Sequence, residues 1–261
     1  MAVDKSCQVE TTERTQAVLS EKVLAAREKV SAEPGKADLW MELGLAYAGQ
    51  GLMREAVEAY SKAISLDPFQ GIYYRHRAHR YLSCWRFQDA CADFTLASRL
   101  IPDNWDVWYH LGLSHYLLGE YEEAAKAYDV CYKMSRSEDK LIAVSDWYWM
   151  TLQRLGRKEE AAAILERITD GMDYKDNLSY YLRLRFYKGE VEESELLNGD
   201  VLSIVTQGYG LSNYYRINGN PQKADEILDR VLSTGDEYMW YAFGYLAAMV
   251  DKKRFSNEIR A

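Results

Sequence analysis

The sequence predicts an all-α fold in which helix–turn–helix hairpins stack one after another into a solenoid. Three of the four prolines, Pro34, Pro68 and Pro102, are spaced by 34 residues twice over, and the segments between them align without gaps. The scarcity of proline permits long helices, because proline removes a backbone donor and breaks a helix interior. A repeat of this length buries its apolar face only by stacking on its neighbours.

Columns of similar residues recur at the same spacing. They combine aromatic and small side chains: Trp40, Tyr74 and Trp108; Gly44, Ala78 and Gly112; Ala56, Ala90 and Ala124; Tyr60, Phe94 and Tyr128. Small residues let the two helices of a hairpin approach closely, and aromatic rings fill the volume that remains. We therefore expect these columns to form the core, with Trp40 and Trp108 packed between helices.

This pattern resembles the tetratricopeptide repeat family, whose unit of about 34 residues has a W-x2-L-G-x2-Y…A-x3-F…P pattern. Residues 37–70 carry all of it: Trp40, Leu43, Gly44, Tyr47, Ala56, Tyr60, Ala63 and Pro68. Units 71–104 and 105–138 depart from it at Arg77, His115 and Arg136. The resemblance implies an α-solenoid with a right-handed superhelix.

Beyond residue 138 the period drifts, but the turn signals persist. Gly156, Gly189 and Gly219 follow predicted first helices as Gly51 and Gly119 do, and glycine suits the left-handed residue that ends a helix. We therefore predict three divergent hairpins over residues 139–236, starting near residues 142, 175 and 205 and giving about six units in total.

Two local signals refine these divergent hairpins. Asn220 and Pro221 form an N-cap followed by proline at the first helical position. The second helix of the fifth hairpin, which starts at Glu190, must be short, because Asn198-Gly199-Asp200 follows it. Asp200 is the expected cap of the next helix.

Helical caps are expected at both ends, because the terminal units of a solenoid would otherwise expose an apolar face. Residues 1–36 contain an amphipathic stretch from Thr12 to Ala32, and residues 237–261 contain an uncharged run from Tyr238 to Val250. The charged tail from Asp251 to Ala261 is predicted to fray. The whole chain is then one continuous solenoid domain.

The composition limits the classes of partner that the protein is expected to bind. A net charge of −8 disfavours nucleic acid and anionic membrane surfaces, which bind basic faces. The longest apolar run has 13 residues, too few to span a bilayer. The four cysteines have no CxxC spacing and are expected to be free thiols of a reducing compartment. A cytoplasmic location follows, although a chain trimmed of a secretion signal would have the same sequence.

Motifs for catalysis and for cofactors are missing from the sequence, which contains no P-loop, G-x-G-x-x-G, G-x-S-x-G or H-E-x-x-H. We predict that the protein is not an enzyme and carries no cofactor. His76 and His79 are three residues apart, but no further ligand column accompanies them, so no metal site is expected.

The resemblance also implies a concave groove lined by the first helices of the units. The positions that face it combine aromatic, methionine and arginine side chains, a composition typical of binding hot spots. They are Met41, Leu45, Arg75, His79, Leu82, Tyr109, Leu113, Tyr116, Asp146, Met150, Arg154, Arg183, Tyr187, Tyr209, Asn213 and Arg216. The alternative is that a tight superhelix packs these residues against each other.

A protein- or peptide-binding scaffold is therefore the leading function, with an acidic and apolar ligand favoured by the arginines. Relatives that clamp a chaperone's C-terminal carboxylate use lysine and asparagine where Met41 and Leu45 stand, so that activity is not expected. The alternative is a structural module that associates with itself through a terminal helix. The chain would then be a weak homodimer and otherwise a monomer.

Overall fold

The computed structural model describes residues 18–235 and 242–258, and all regular secondary structure in these ranges is helical. The α-helices are α1 (Glu21–Ala32), α2 (Ala37–Gly49), α3 (Met53–Leu66), α4 (Gly71–Ser83), α5 (Phe87–Leu100), α6 (Trp105–Leu118), α7 (Tyr121–Met134), α8 (Glu138–Arg154), α9 (Lys158–Glu166), α10 (Leu178–Tyr187), α11 (Val201–Ile217), α12 (Pro221–Gly235) and α13 (Phe243–Glu258). The prediction of an all-α fold is confirmed. None of the described helices combines the length and apolarity needed to cross a membrane.

The chain divides into two compact units, residues 1–114 and 115–261, with the boundary inside α6. In unit 1, the hairpins α2–α3 and α4–α5 pack in succession, and α1 packs on α2. Val23, Ala26 and Val30 of α1 are buried in one cluster with Leu43 and Ala46 of α2. The first residues of the amphipathic stretch predicted from Thr12 lie outside the described residues.

The small and aromatic columns form the core of unit 1. Tyr60 and Phe94 are buried, and the Tyr60 ring lies directly against Gly44. A Cβ atom at Gly44 would lie 2.4 Å from a carbon of that ring, so no larger residue fits without displacing the ring.

The tryptophan column is half-buried, contrary to the expectation that it is enclosed. Trp40 Nε1 donates to the carbonyl oxygen of Pro34 at 2.9 Å, and Trp108 Nε1 donates to that of Pro102 at 2.7 Å. Each indole thus donates a hydrogen bond to the proline that precedes its own 34-residue repeat. The same hydrogen bond therefore occurs at the start of two repeats.

The turns between paired helices repeat one backbone conformation. Gly51 has φ 79° and Gly119 has φ 83°, as the turn signature predicts. Trp85 lies midway between them in sequence and has φ 64°. Only glycine adopts this region without steric cost, so unit 1 retains the left-handed turn even where a bulky residue occupies it.

Unit 2 contains the more divergent hairpins. Its helices α8, α10 and α11 begin within about four residues of the predicted starts. Asp200 caps α11, accepting a hydrogen bond from the Ser203 amide at 2.8 Å. The predicted short helix after Glu190 is a single 3-10 turn, Glu193–Glu195.

The C-terminal segment differs from its prediction. Residues 236–241, which include the start of the apolar run predicted to form a cap, lie outside the described residues, and α13 begins at Phe243. The helix then continues to Glu258, through most of the stretch expected to fray. Asp251 is only 3% exposed, because unit 2 supplies buried partners for its carboxylate.

Candidate partner-binding site

The predicted groove residues differ widely in exposure. Nine of these residues are buried: Leu82, Tyr109, Leu113, Tyr116, Asp146, Met150, Arg183, Tyr209 and Asn213. Six others are half-buried: Met41, Arg75, His79, Arg154, Tyr187 and Arg216. Leu45 alone among these residues is exposed, at 38%. Buried side chains do not reach a partner in this conformation. The predicted groove residues therefore do not form one continuous exposed surface that a partner could contact.

Tyr109 illustrates the difference. We expected it to line an open groove, but its side chain is 6% exposed and its ring stacks on Trp105 at a centroid distance of 4.9 Å. The helical period correctly gives Tyr109 and Trp108 different environments, but the Tyr109 side chain is more buried than the Trp108 side chain.

Unit 1 contains a compact polar cluster, formed by Arg75, His76, His79 and Arg80 of α4 with Asp106 and His110 of α6. Arg75 Nε donates to Asp106 Oδ2 at 2.6 Å. His110 Nδ1 lies 2.8 Å from the Asp106 carbonyl oxygen, and its ring centroid is 4.7 Å from that of His79. These contacts join two first helices, α4 and α6, side by side.

Arg80 is the unbalanced charge of this cluster. It contacts His79 Nδ1 and, at 3.7 Å, the sulfur of Met53. Among the described residues no carboxylate lies within ion-pair distance of it. Burial lowers the pKa of Arg80, Tyr60 opposes that shift, and Arg75 adds to it. A half-buried guanidinium without a counter-ion favours the approach of an anion.

His76 and His79 of the cluster are uncharged at neutral pH. Burial lowers the pKa of His76 to about 4, and Arg75 and Arg80 add to the shift, while Asp106 opposes it. Burial also lowers the pKa of His79 well below its usual value. Because Arg75 is paired with Asp106, Arg80 is the arginine of this cluster without a carboxylate partner among the described residues.

Unit 2 encloses a second polar cluster around Arg154. Tyr209 donates its hydroxyl hydrogen to Asp251 Oδ2 at 3.0 Å, and the Tyr116 hydroxyl lies 2.8 Å from that of Tyr209. Arg154 bonds both oxygens of Asp251 and donates to Asn213 Oδ1 at 2.9 Å. The Arg154 and Asp251 side chains are 10% and 4% exposed, so this ion pair is buried.

The partner of Arg154 comes from α13. The same helix contributes Arg254, which donates to the Tyr121 hydroxyl at 2.6 Å, and Phe255, whose ring centroid lies 3.8 Å from the guanidinium carbon of Arg216. Tyr116, Tyr209, Arg154 and Arg216 therefore line the surface that α13 covers, here called the Arg154 site.

A second ion pair in unit 2 is wholly buried. Arg183 Nε donates to Asp146 Oδ1 at 2.8 Å, and both side chains are 0% exposed. Arg183 also donates to the Thr206 carbonyl oxygen at 2.5 Å. Gly210 leaves room for this arginine, because a Cβ atom there would lie 2.5 Å from Arg183 Nε. Arg183 is thus structural in this conformation.

Three residues important to these sites were missed. Arg80 lies beside the predicted groove positions of α4. The feature that could have identified it is that it is a second arginine on a face that is otherwise half-buried. Asp251 and Phe255 lie in the segment expected to fray. Their spacing of four residues, which places them on one helical face, was the available signal.

The hairpins, the repeating proline–indole bonds and the left-handed turns define an α-helical repeat protein of the solenoid class. Residues 37–70 and 86–138 each match a family model described as tetratricopeptide repeat. The chain therefore contains tetratricopeptide repeats over residues 37–70 and 86–138.

Curated relatives match part of the chain. The small glutamine-rich tetratricopeptide repeat-containing protein 2 of Mycosarcoma maydis is 30% identical over 122 residues, 47% of this chain and 32% of that protein. The Hsp70-Hsp90 organizing protein of Triticum aestivum is 33% identical over 100 residues, 38% of this chain and 17% of that protein. The chain thus spans a third or less of the length of these relatives.

Solved structures resemble the fold over most of the chain. YrrB, described as a TPR protein with an unusual peptide-binding site, has a TM-score of 0.53 and 18% identity and covers 88% of this chain and 99% of its own. The APC/C hetero-tetramer Cut9-Hcn1 has a TM-score of 0.54 and 18% identity over 89% of this chain and 40% of the matched chain. At this identity the likeness concerns the fold alone.

Proposed function

We propose that this protein is a binding scaffold that holds an acidic and apolar segment of another protein against unit 1. The observation that carries the proposal is Arg80, a half-buried guanidinium without a carboxylate partner among the described residues. A ligand carboxylate would supply the missing counter-ion in a setting where charge-assisted hydrogen bonds are strong.

The apolar part of the proposed contact comes from α2. Leu45 is 38% exposed and Met41 is half-buried, and α2 packs against α4, which carries Arg80. An exposed leucine next to a methionine offers an adaptable apolar surface. The proposed ligand therefore places an apolar side chain against α2 and a carboxylate near Arg80.

The comparisons support a binding role in general terms. One relative is named a co-chaperone, the HSC co-chaperone sgt12 of Aspergillus fumigatus, at 28% identity over 105 residues. By analogy we propose binding rather than catalysis for this chain. A reducing, cytoplasmic setting is proposed from Cys84, which is a buried free thiol. Burial raises the pKa of Cys84 to about 12, so this thiol is unreactive at neutral pH.

The test begins with peptides selected from a random display library against the full chain, because the ligand is unidentified. Their affinities are then measured by fluorescence anisotropy for the wild type, Arg80→Gln and Arg99→Gln. Arg99 is an exposed arginine of α5 in the same unit, so its substitution is the matched control for net charge.

We expect the selected peptides to contain aspartate or glutamate and Arg80→Gln to weaken them by about tenfold, the loss of one charge-assisted hydrogen bond. Arg99→Gln should leave the affinities unchanged. Selected peptides without acidic residues, or equal affinities for the wild type and Arg80→Gln, would remove unit 1 as the binding face.

A further inference from the structure

The C-terminal half of α13 occupies the Arg154 site as a ligand would, and not as a continuation of the apolar core. The first half of α13 is buried and apolar, with Tyr245 at 3%, Leu246 at 0% and Ala248 at 0% exposure. The second half contacts unit 2 through Asp251, Arg254 and Phe255, two of which are charged. Along α13 the contacts thus change from apolar packing in the first half to ionic and aromatic contacts in the second half.

We propose that the Arg154 site is a helix-binding site for a partner protein, and that α13 holds it closed by presenting an aspartate and a phenylalanine four residues apart. The partner would be a helix with the same pair, its carboxylate on Arg154 and Tyr209 and its aromatic ring on Arg216. This proposal is independent of peptide binding by unit 1.

The chemistry of the site favours exchange of one carboxylate for another. Arg154 is 10% exposed, and leaving it without an anion would be costly. When a second carboxylate takes the place of Asp251, however, the same hydrogen bonds re-form and Arg154 is not left without an anion. A separate chain also loses translational and rotational freedom on binding, a cost that Asp251 does not have, so the wild type favours its own helix. The site therefore requires an acidic occupant without specifying which chain provides it.

The helix can release the site from its end. Helix termini fray one turn at a time, and the residues beyond Asp251 include the exposed side chains Lys253 and Ser256. Fraying through Asp251 removes the carboxylate from Arg154 and the Phe255 ring from Arg216, which stays paired with Asp225, while Leu246 and Ala248 stay packed. Opening of the site does not require unfolding of unit 2.

The experiment uses the full chain and two synthetic probes. The first probe is a fluorescein-labelled helix of about 20 residues, mostly alanine and glutamine, long enough to be helical in water, with one aspartate and one phenylalanine four residues apart. The second probe has asparagine and alanine at those two positions. Anisotropy titrations compare the wild type, the double variant Asp251→Asn with Phe255→Ala, and Lys253→Ala as the exposed control on the same helix.

We expect the first probe to bind the double variant at least tenfold more tightly than the wild type or Lys253→Ala, and the second probe to bind none of them. Adding Arg154→Met to the double variant should abolish binding. Equal binding of both probes, or no binding by a folded double variant, would overturn the proposal. Dimerisation of the double variant in sedimentation velocity would also overturn it, because the site would then serve self-association.

Hydrogen exchange of the wild type tests the proposal without any substitution. The amides of residues 251–258 should exchange at least tenfold faster than those in the middle of α11, which is buried in the same unit. Exchange of both segments at the same rate would show that α13 leaves only when unit 2 unfolds, and would refute the proposed opening even if the double variant failed to fold.

Discussion

The ion pair between Asp146 and Arg183 allows a sharp test of how unit 2 is held together. Both side chains are 0% exposed, and Arg183 additionally bonds the Thr206 carbonyl oxygen at 2.5 Å. The perturbations are Asp146→Leu, Arg183→Met and the two changes combined. Methionine is unbranched and flexible, so it suits the narrow space beside Gly210.

The expected magnitudes follow from burial. Removing one member of a fully buried pair leaves the other charge without compensation and costs about 3–5 kcal/mol. Removing both replaces two desolvated charges by apolar side chains of similar size, which is often neutral. We therefore expect each single variant to lose about 3 kcal/mol or more and the double variant to lose less than either. The coupling energy is then at least about 3 kcal/mol.

Urea unfolding followed by helical circular dichroism measures these free energies, with the exposed pair Lys133–Asp129 as the control. Charge-neutralising changes at that surface pair should cost less than about 1 kcal/mol. A loss of less than about 1 kcal/mol in either single variant of the buried pair, or losses that simply add in the double variant, would refute the reasoning.

Two further predictions concern unit 1. Since the folded pKa of His76 is lowered to about 4 from 6.5, unfolding takes up a proton between these values. The imidazole thus destabilises the fold as pH falls from 6.5 towards 4, by up to about 2 kcal/mol after allowance for partial exposure. The wild type should lose this stability relative to His76→Gln in urea titrations at several pH values. Tyr109→Ala should cost about 3 kcal/mol or more, at least as much as Trp108→Ala, by thermal and urea unfolding.

Clear outcomes would contradict these two predictions. A constant stability difference between the wild type and His76→Gln from pH 7 to pH 4 would mean that His76 is as accessible to protons in the folded state as in the unfolded state. A Tyr109→Ala loss far below that of Trp108→Ala would mean that Tyr109 lines an open surface after all.

The sequence alone predicted the hairpins well because their signals are local. Gly44 and Tyr60 occupy one hairpin, and their spacing alone indicates that they touch. Asp200 and Pro221 mark helix starts through their own backbone chemistry, which needs no knowledge of the rest of the chain.

The candidate sites were harder to predict because their contacts are distant in sequence. The period of α11 correctly placed Tyr209 on one face of its helix, but Asp251, 42 residues away, occupies that face. A helical period identifies a side chain's direction without identifying what packs there. Arg80 is difficult to predict for a different reason. It matters because no described neighbour provides a carboxylate to pair with it, and the sequence does not reveal that a partner is missing.

The tryptophans give the two units different optical signatures. In unit 1, Trp40, Trp85, Trp105 and Trp108 are half-buried, whereas the described tryptophans of unit 2, Trp147 and Trp149, are 0% and 3% exposed. Indole emission shifts to longer wavelength on contact with water, so melting of unit 2 should produce most of the red shift and melting of unit 1 comparatively little. Repeat proteins can lose cooperativity along the chain. Fluorescence and circular dichroism recorded together would therefore reveal, without any label, which unit unfolds first.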